Sequence, residues 1–111
     1  MNNLRNKVQL IGNLGADPEI KLFDSGKKKV TLSLATSEKY TNANGEKIEQ
    51  TQWHNVIGWE KTAEVAEKYL RKGSEVAIYG KIQYRSYDDK NGEKRYITEI
   101  KINELVLLGK K

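Results

Sequence analysis

Apolar and polar residues alternate along most of the chain, which is the pattern of β-strands that bury one face. Val30, Leu32 and Leu34 are the clearest example, because small or polar side chains separate them. Gly, Asn, Asp and Pro residues interrupt the pattern where turns are expected. The pattern predicts five strands, over residues 6–15, about 30–40, 49–59, 75–87 and 94–108.

One segment, residues 61–72, has the spacing of an amphipathic helix instead. Glu64 lies near its start and Arg71 near its end, which complements the helix dipole. Its apolar side chains fall in a single stripe formed by Val65, Ala66, Tyr69 and Leu70. We therefore predict one helix whose Tyr69 side chain belongs to the core.

The order of these elements places the helix between the third and fourth of five strands. That is the order of the OB-fold, a small all-β Greek-key barrel, although the order alone leaves other small barrels open. Asn44-Gly45 and Asn91-Gly92 predict tight type I′ hairpin turns. The chain has 111 residues and no linker or low-complexity tract, so we expect residues 1–111 to form one domain.

Composition favours a binding protein over an enzyme. The chain has no cysteine and a single histidine, His54, so it lacks disulfides, thiolate chemistry and the ligands of a zinc ribbon. We expect no metal and no cofactor. A net charge of +5 favours a polyanionic partner. No apolar run approaches the roughly 18 residues of a membrane span, and residues 1–5 lack the apolar stretch of a signal peptide, so a cytoplasmic protein is predicted.

Two motifs suggest chemistry at first sight. Gly12 and Gly15 match a G-x-x-G phosphate loop, but no helix follows them to direct amides at a phosphate. Asp88-Asp89 and the pair Glu46 and Glu49 lie in predicted hairpin loops beside lysines, whereas a two-metal site needs acids that converge from separate elements. We interpret both sets as turn residues.

The aromatic residues carry more information. Tyr40, Trp53 and Tyr87 have polar and cationic neighbours in the sequence, whereas core aromatics usually lie among aliphatic residues. Exposed rings interleaved with cations suit single-stranded nucleic acid, because a ring stacks on any base while cations contact the phosphates. Trp59 fits the core and the ligand surface equally well. Tyr79, Tyr84 and Tyr96 stay undecided, and we interpret Phe23 as a packing residue of a turn.

Four segments of the chain resemble bacterial single-stranded DNA-binding proteins. They occur in the family's order and extend over essentially the whole chain, at residues 7–19 (KVQLIGNLGADPE), 34–38 (LATSE), 52–56 (QWHNV) and 63–74 (AEVAEKYLRKGS). The resemblance implies an OB-fold that assembles as a homotetramer and coats single-stranded DNA without reading its sequence. It implies a nucleoid-associated role in replication, recombination and repair, with no catalytic activity.

The resemblance also assigns individual residues. His54 matches a histidine near the family's subunit contact, and Asn55 replaces a family arginine, which removes one phosphate contact. The family's stacking positions fall on Tyr40, Trp53, Trp59 and Tyr87. The basic residues along the implied DNA path are Lys7, Lys61, Arg71, Lys72 and Arg85.

One departure from the family concerns residues 107–111, which are basic where typical members continue into a flexible linker and an acidic tip. Recruitment of replication and repair proteins through such a tip is therefore doubtful, whether the chain is naturally short or has been shortened. Two other hypotheses remain. A primosome accessory protein of the same fold usually has fewer stacking aromatics, and a nuclease on an OB barrel needs an acidic cluster that the sequence does not suggest.

Overall fold

The computed structural model describes residues 5–109, so Met1–Leu4 and Lys110–Lys111 lie outside the described residues. The five predicted strands and the helix are present. A short additional strand follows the first, so the helix lies between the fourth and fifth strands in chain order. The elements are β1 (Val8–Leu14), β2 (Glu19–Leu22), β3 (Lys28–Thr41), β4 (Lys47–Trp59), α1 (Lys61–Tyr69), β5 (Glu75–Asp88) and β6 (Lys94–Gly109).

The five long strands close into a barrel, which confirms the predicted OB-type architecture. The sheet order is β1-β5-β6-β4-β3-β2, and a second pairing of β1 with β3 completes the ring. That pairing is short, with Asn13 opposite Ala35 and Leu14 opposite Leu34. All strand pairs are antiparallel except β4 with β6, where Val56 lies opposite Ile100. Strand β2 lies outside the ring, on the edge of β3.

The barrel interior contains the apolar residues that the alternation predicted to face inward. Val30, Leu32 and Leu34 of β3 are fully buried, and Val8 and Leu10 of β1 pack against the same cluster. The helix closes one side of the barrel with two buried residues, Ala63 and Ala66, and Leu70, which follows the helix, is buried beside them. One continuous core therefore supports every strand of the ring.

The helix differs from the prediction at its C-terminal end. It stops at Tyr69 because Leu70 adopts an extended conformation, although its backbone N–H still donates to the carbonyl of Ala66 at 3.0 Å. The buried stripe follows Ala63, Ala66 and Leu70, so Tyr69 lies to one side of it and is 56% exposed. The prediction that Tyr69 belongs to the core was wrong. No helix in residues 5–109 is long and apolar enough to cross a membrane.

The two Asn-Gly hairpins differ from the predicted type I′ turns. A type I′ turn needs positive φ at both central residues, yet only the glycines have it, with φ +82° at Gly45 and +80° at Gly92. Asn42 and Asp89, which begin the two loops, accept backbone N–H bonds of 2.9 Å from residues two and four positions further on. These side-chain bonds stabilise wider loops than a two-residue turn.

Truncation of a barrel residue tests the described core. Leu34→Ala should lower the free energy of unfolding by about 2–5 kcal/mol, because it removes buried methyl groups and leaves a cavity. Leu22→Ala is the matched control, since Leu22 is 67% exposed, and its effect should stay within about 0.5 kcal/mol. Urea denaturation followed by circular dichroism measures both, and equal effects would contradict the described core.

Candidate nucleic-acid interface

Trp53 lies on the outer face of β4, opposite Ala35 of β3, and is 62% exposed. Its ring covers the connection between β1 and β2 so closely that a Cβ atom on Gly15 would collide with it. Gly15 in turn donates its backbone N–H to the carbonyl of Ser33 at 2.9 Å. The close approach fixes one side of the ring and leaves most of its area open to solvent.

Trp59 ends the same strand and is half-buried against Phe23, which follows β2. The two ring centroids are 5.8 Å apart and the ring planes differ by 35°. Each ring carries an ammonium group, with Lys29 Nζ 5.6 Å from the Trp59 centroid and Lys21 Nζ 4.9 Å from the Phe23 centroid. We call these four residues the Trp59–Phe23 cluster. Sequence reasoning placed Phe23 in a turn but not beside Trp59.

A groove beside this cluster is lined by Lys27, Trp59, Glu60, Gln83 and Lys101. We call it the lysine groove. Neither Lys27 nor Lys101 was predicted as a site residue. The two lysines are far apart in the sequence, so only the folded structure shows that they line the same groove. Glu60 has φ +54°, an uncommon conformation for a residue with a side chain. The chain adopts this conformation between the end of β4 and the start of α1. The Glu60 N–H donates to the carbonyl of Lys28 at 2.9 Å.

Arg85 holds a buried carboxylate on the outer wall of the barrel. Its Nε and Nη2 atoms donate to the two carboxylate oxygens of Glu99, each at 3.0 Å. Glu99 is 3% exposed. Burial by itself raises the pKa of Glu99, but the hydrogen bonds and the charge of Arg85 outweigh it, so the pKa lies below its ordinary value. Most of the guanidinium of Arg85 is therefore engaged within the protein.

The other two predicted stacking residues lie near the tips of the projecting hairpins. Tyr40 lies opposite Ile48 on the β3–β4 hairpin, and Tyr87 lies opposite Arg95 on the β5–β6 hairpin. Both tyrosines are exposed. Arg95 Nε donates to Asp89 Oδ2 at 2.8 Å, so its charge is balanced within the hairpin.

The undecided tyrosines lie on other surfaces. Tyr84 and Tyr96 are highly exposed and belong to the opposite face of the β5–β6 hairpin from Tyr87. Tyr79 is half-buried on β5, with Lys7 Nζ 4.9 Å from its ring centroid. Lys7 therefore lies on the wall formed by β1 and β5 and takes no part in the Trp59–Phe23 cluster.

The remaining predicted basic residues lie around the helix. Lys61 is its first residue and is exposed. Arg71 Nη1 donates to the carbonyls of Leu70 and Glu67 at 2.7 and 3.1 Å, which folds this side chain onto the helix end. Lys72 is exposed, and its backbone N–H donates to Asp17 Oδ1 at 2.7 Å, which ties it to the connection beneath Trp53.

His54 is half-buried on β4, with Nε2 2.9 Å from Thr36 Oγ1 of β3. This contact joins two strands within one chain. In residues 5–109 no group of three or more His, Asp or Glu side chains converges to hold a metal ion.

Comparisons with known proteins agree on one family. The Single-strand binding protein family matches residues 5–108. The single-stranded DNA-binding protein of Bacteroides thetaiotaomicron is 47% identical over 108 residues, and single-stranded DNA-binding protein 1 of Chlorobaculum tepidum is 46% identical over 107 residues. Each alignment covers 96% of this chain but only 67% and 66% of the relative, so the chain spans about two thirds of their length.

Two solved structures have the same fold. The Plasmodium falciparum SSB, in a complex with ssDNA, superposes with a TM-score of 0.82 at 35% identity and covers 97% of this chain and 99% of its own. A deletion mutant of the single-stranded DNA binding protein from Thermus aquaticus gives a TM-score of 0.79 at 29% identity, over 93% of this chain and 50% of its own.

The Arg85–Glu99 pair predicts a pH-dependent stability difference. Arg85→Gln should lower the free energy of unfolding at pH 7 by about 1–3 kcal/mol, because it leaves a buried carboxylate without its cation. The folded pKa of Glu99 lies below its unfolded value, so the pair stabilises the wild type above about pH 4.5 and this contribution is lost as the pH falls further.

Urea denaturation at pH 7 and pH 3.5 measures this effect. The difference between wild type and Arg85→Gln should shrink at the lower pH, because Glu99 of the variant is buried without its cation and takes up a proton more readily than in the wild type. The double variant Arg85→Gln with Glu99→Gln is the control. Its free energy of unfolding should lack this pH-dependent contribution, because no carboxyl group remains at position 99. A difference that does not change with pH would contradict the ion pair.

Proposed function

The chain belongs to the single-strand binding protein family, and we propose that it binds single-stranded DNA by stacking bases on its exposed rings within a cationic surface. The observation that carries the proposal is the outer face of β4, where an exposed Trp53 and the lysine-flanked Trp59 share one strand. Such rings accept any base, because every base has a π-face, and the lysines neutralise phosphates without reading sequence.

The proposed roles follow the geometry of each residue. Trp53 and Trp59 are the principal stacking residues, and Tyr40 and Tyr87 add exposed rings on the two hairpins, Tyr40 on the opposite face of its hairpin from Trp53. Lys61 and Lys72 are the best placed of the predicted phosphate contacts, since both are exposed. Arg71, Arg85 and Lys7 contribute charge from positions where other contacts engage their side chains.

The biological role we propose is that of a coating protein. Residues 1–111 act as one domain that covers and protects exposed strands during DNA replication, recombination and repair, without catalytic activity. Such a protein works in the cytoplasm at the nucleoid. Relatives that share nearly the whole chain and carry the name single-stranded DNA-binding protein support this role.

We further propose a homotetramer, on the evidence of an unpaired strand edge. Strand β1 pairs with β5 from Val8 to Asn13 but with β3 only at Asn13 and Leu14. The other edge of residues 8–12 therefore has no partner strand within residues 5–109, and it offers backbone groups to a second copy. Beside this edge, the exposed side chains of Ile11 and Val106 flank Ala77 in an apolar row across β1, β5 and β6.

A fluorescence titration with poly(dT) tests the function. Binding should quench the intrinsic tryptophan emission, and a random-sequence duplex should compete poorly. The logarithm of the affinity should fall linearly with the logarithm of the salt concentration, with a slope near −0.7 for each phosphate neutralised. Trp53→Ala should weaken binding by about 1–3 kcal/mol, and Trp53→Phe should recover part of the loss because a ring remains.

Lys72→Ala is the matched control for charge. It should reduce the salt slope, whereas Trp53→Ala should leave the slope nearly unchanged. Tighter binding to duplex than to poly(dT), or an affinity independent of salt, would contradict the proposed function. A folded Trp53→Ala protein that binds as tightly as wild type would place the stacking surface elsewhere.

Sedimentation velocity at micromolar protein tests the oligomer. The wild type should sediment as a tetramer, and Ile11→Asp should shift it to smaller species because a charge then replaces an apolar contact. Leu22→Asp is the control, since this residue is also an exposed aliphatic side chain but lies on β2. A wild-type protein that sediments only as a monomer would overturn the assembly.

A further inference from the structure

We propose that Phe23 is a second base-stacking residue, and that Phe23 and Trp59 form one two-ring platform beside the lysine groove for neighbouring nucleotides of the bound strand. The proposal rests on the proposed single-stranded DNA binding, and it adds a residue that neither the aromatic pattern nor the family resemblance assigned. Its evidence is the arrangement at one end of the barrel of two rings and four lysines that form no ion pair within residues 5–109.

The turn after β2 fixes the position of Phe23. Its backbone N–H donates to the carbonyl of Lys27 and its carbonyl accepts the N–H of Gly26, both at 2.8 Å. Phe23 is half-buried and does not belong to the barrel core. Trp59 is the aromatic ring that it contacts, at 5.8 Å between centroids. The packing therefore orients the ring and leaves part of it in solvent.

The lysines around the platform differ from Lys28 in that they form no ion pair within residues 5–109. Lys28 bonds Glu67 of the helix at 2.8 Å, whereas Lys29 points to the other side of β3, as strand alternation requires. Lys27, which precedes β3, lines the lysine groove. Lys21, Lys27, Lys29 and Lys101 form no ion pair within the described residues. Glu60 is the one carboxylate that lines the lysine groove, so the site carries a net positive charge.

This combination selects single-stranded nucleic acid as the occupant. A π-surface alone accepts any flat or apolar group, but four ammonium groups outside ion pairs around two rings match a polymer whose bases alternate with phosphates. Lys21 and Lys29 lie over the rings in the free protein. On binding, bases take the ring faces and these ammonium groups move to the adjacent phosphates, so no charge is left without a partner.

Ultraviolet crosslinking to oligo(dT) tests the contact directly. Trypsin releases residues 22–27 as a peptide whose only aromatic residue is Phe23, and residues 48–61 as a peptide that carries both tryptophans. Mass spectrometry of the digested complex should find thymidine adducts on both peptides. Adducts on residues 48–61 with none on 22–27 would overturn the role of Phe23. Adducts on neither peptide would count against the proposed function itself.

Phe23→Leu and Phe23→Tyr form a matched pair of variants. The leucine keeps an apolar contact with Trp59 but removes the ring, and we expect it to weaken oligo(dT) binding about fivefold or more with an unchanged salt slope. The tyrosine keeps the ring and should bind within about twofold of wild type. Wild-type affinity for a folded Phe23→Leu protein would overturn the proposal, and thermal melting establishes that it is folded.

The double variant Lys27→Gln with Lys101→Gln separates charge from stacking. It should reduce the magnitude of the salt slope by about 1.4, since each lysine neutralises one phosphate at roughly 0.7. The adduct on residues 22–27 should persist in this variant. An unchanged salt slope would overturn the assignment of the groove lysines as phosphate contacts.

Discussion

Closure of the barrel at the short pairing of β1 with β3 is the constraint on which the rest of the structure depends. The backbone of Leu14 accepts a bond from Gly73 at 2.8 Å and donates to the carbonyl of Ser74 at 2.9 Å, so the closing point also ties down the entry to β5. Gly12 permits the close crossing, because a Cβ atom there would collide with the carbonyl of Ala35. The same crossing brings Gly15 beneath Trp53 and leaves the edge of residues 8–12 that is not paired with β5 without a partner strand in residues 5–109.

The two kinds of basic residue have different uses in this fold. Three surface arginines make fixed contacts within the chain: Arg85 with buried Glu99, Arg95 with Asp89, and Arg71 with helix carbonyls. The planar guanidinium suits these fixed geometries, since it donates several N–H groups in set directions. Lys21 and Lys29 instead lie over rings, and Lys27 and Lys101 lie along the lysine groove. Mobile ammonium groups can follow a flexible phosphate chain, so the exposed positive charge comes mainly from lysine.

Barrel closure and charge placement together explain how a small domain presents a long surface. The hairpins β3–β4 and β5–β6 extend beyond the core and carry Tyr40 and Tyr87 near their tips. By strand alternation Tyr40 lies on the opposite face of its hairpin from Trp53, so these two rings do not form one line. The apolar row of Ile11, Ala77 and Val106 lies on the wall of β1, β5 and β6. In the proposed assembly, one wall of the barrel contacts a second copy while another faces the DNA.

The sequence by itself determined the long strands, the start of the helix and the exposure of Trp53, because each depends on residues close together in the chain. Alternation at Val30, Leu32 and Leu34 determines which face of the strand is buried, whatever the position of the strand in the sheet. Strand β2 was not predicted, because its four residues are largely exposed and show no clear alternation of buried and exposed positions. It pairs with β3. The side chains of Asn42 and Asp89, which lie outside the Asn-Gly pairs, decided the loop type.

Only the tertiary structure decided the end of the helix and the surroundings of Trp59. Tyr69 fits a helical stripe in the sequence, but the barrel has room for Ala63, Ala66 and Leu70 and turns the tyrosine outward. Phe23 and Trp59 meet because the β3–β4 register sets Lys29 opposite Trp59. Contacts between residues so distant in the chain depend on strand register and closure, which no local pattern of side chains encodes.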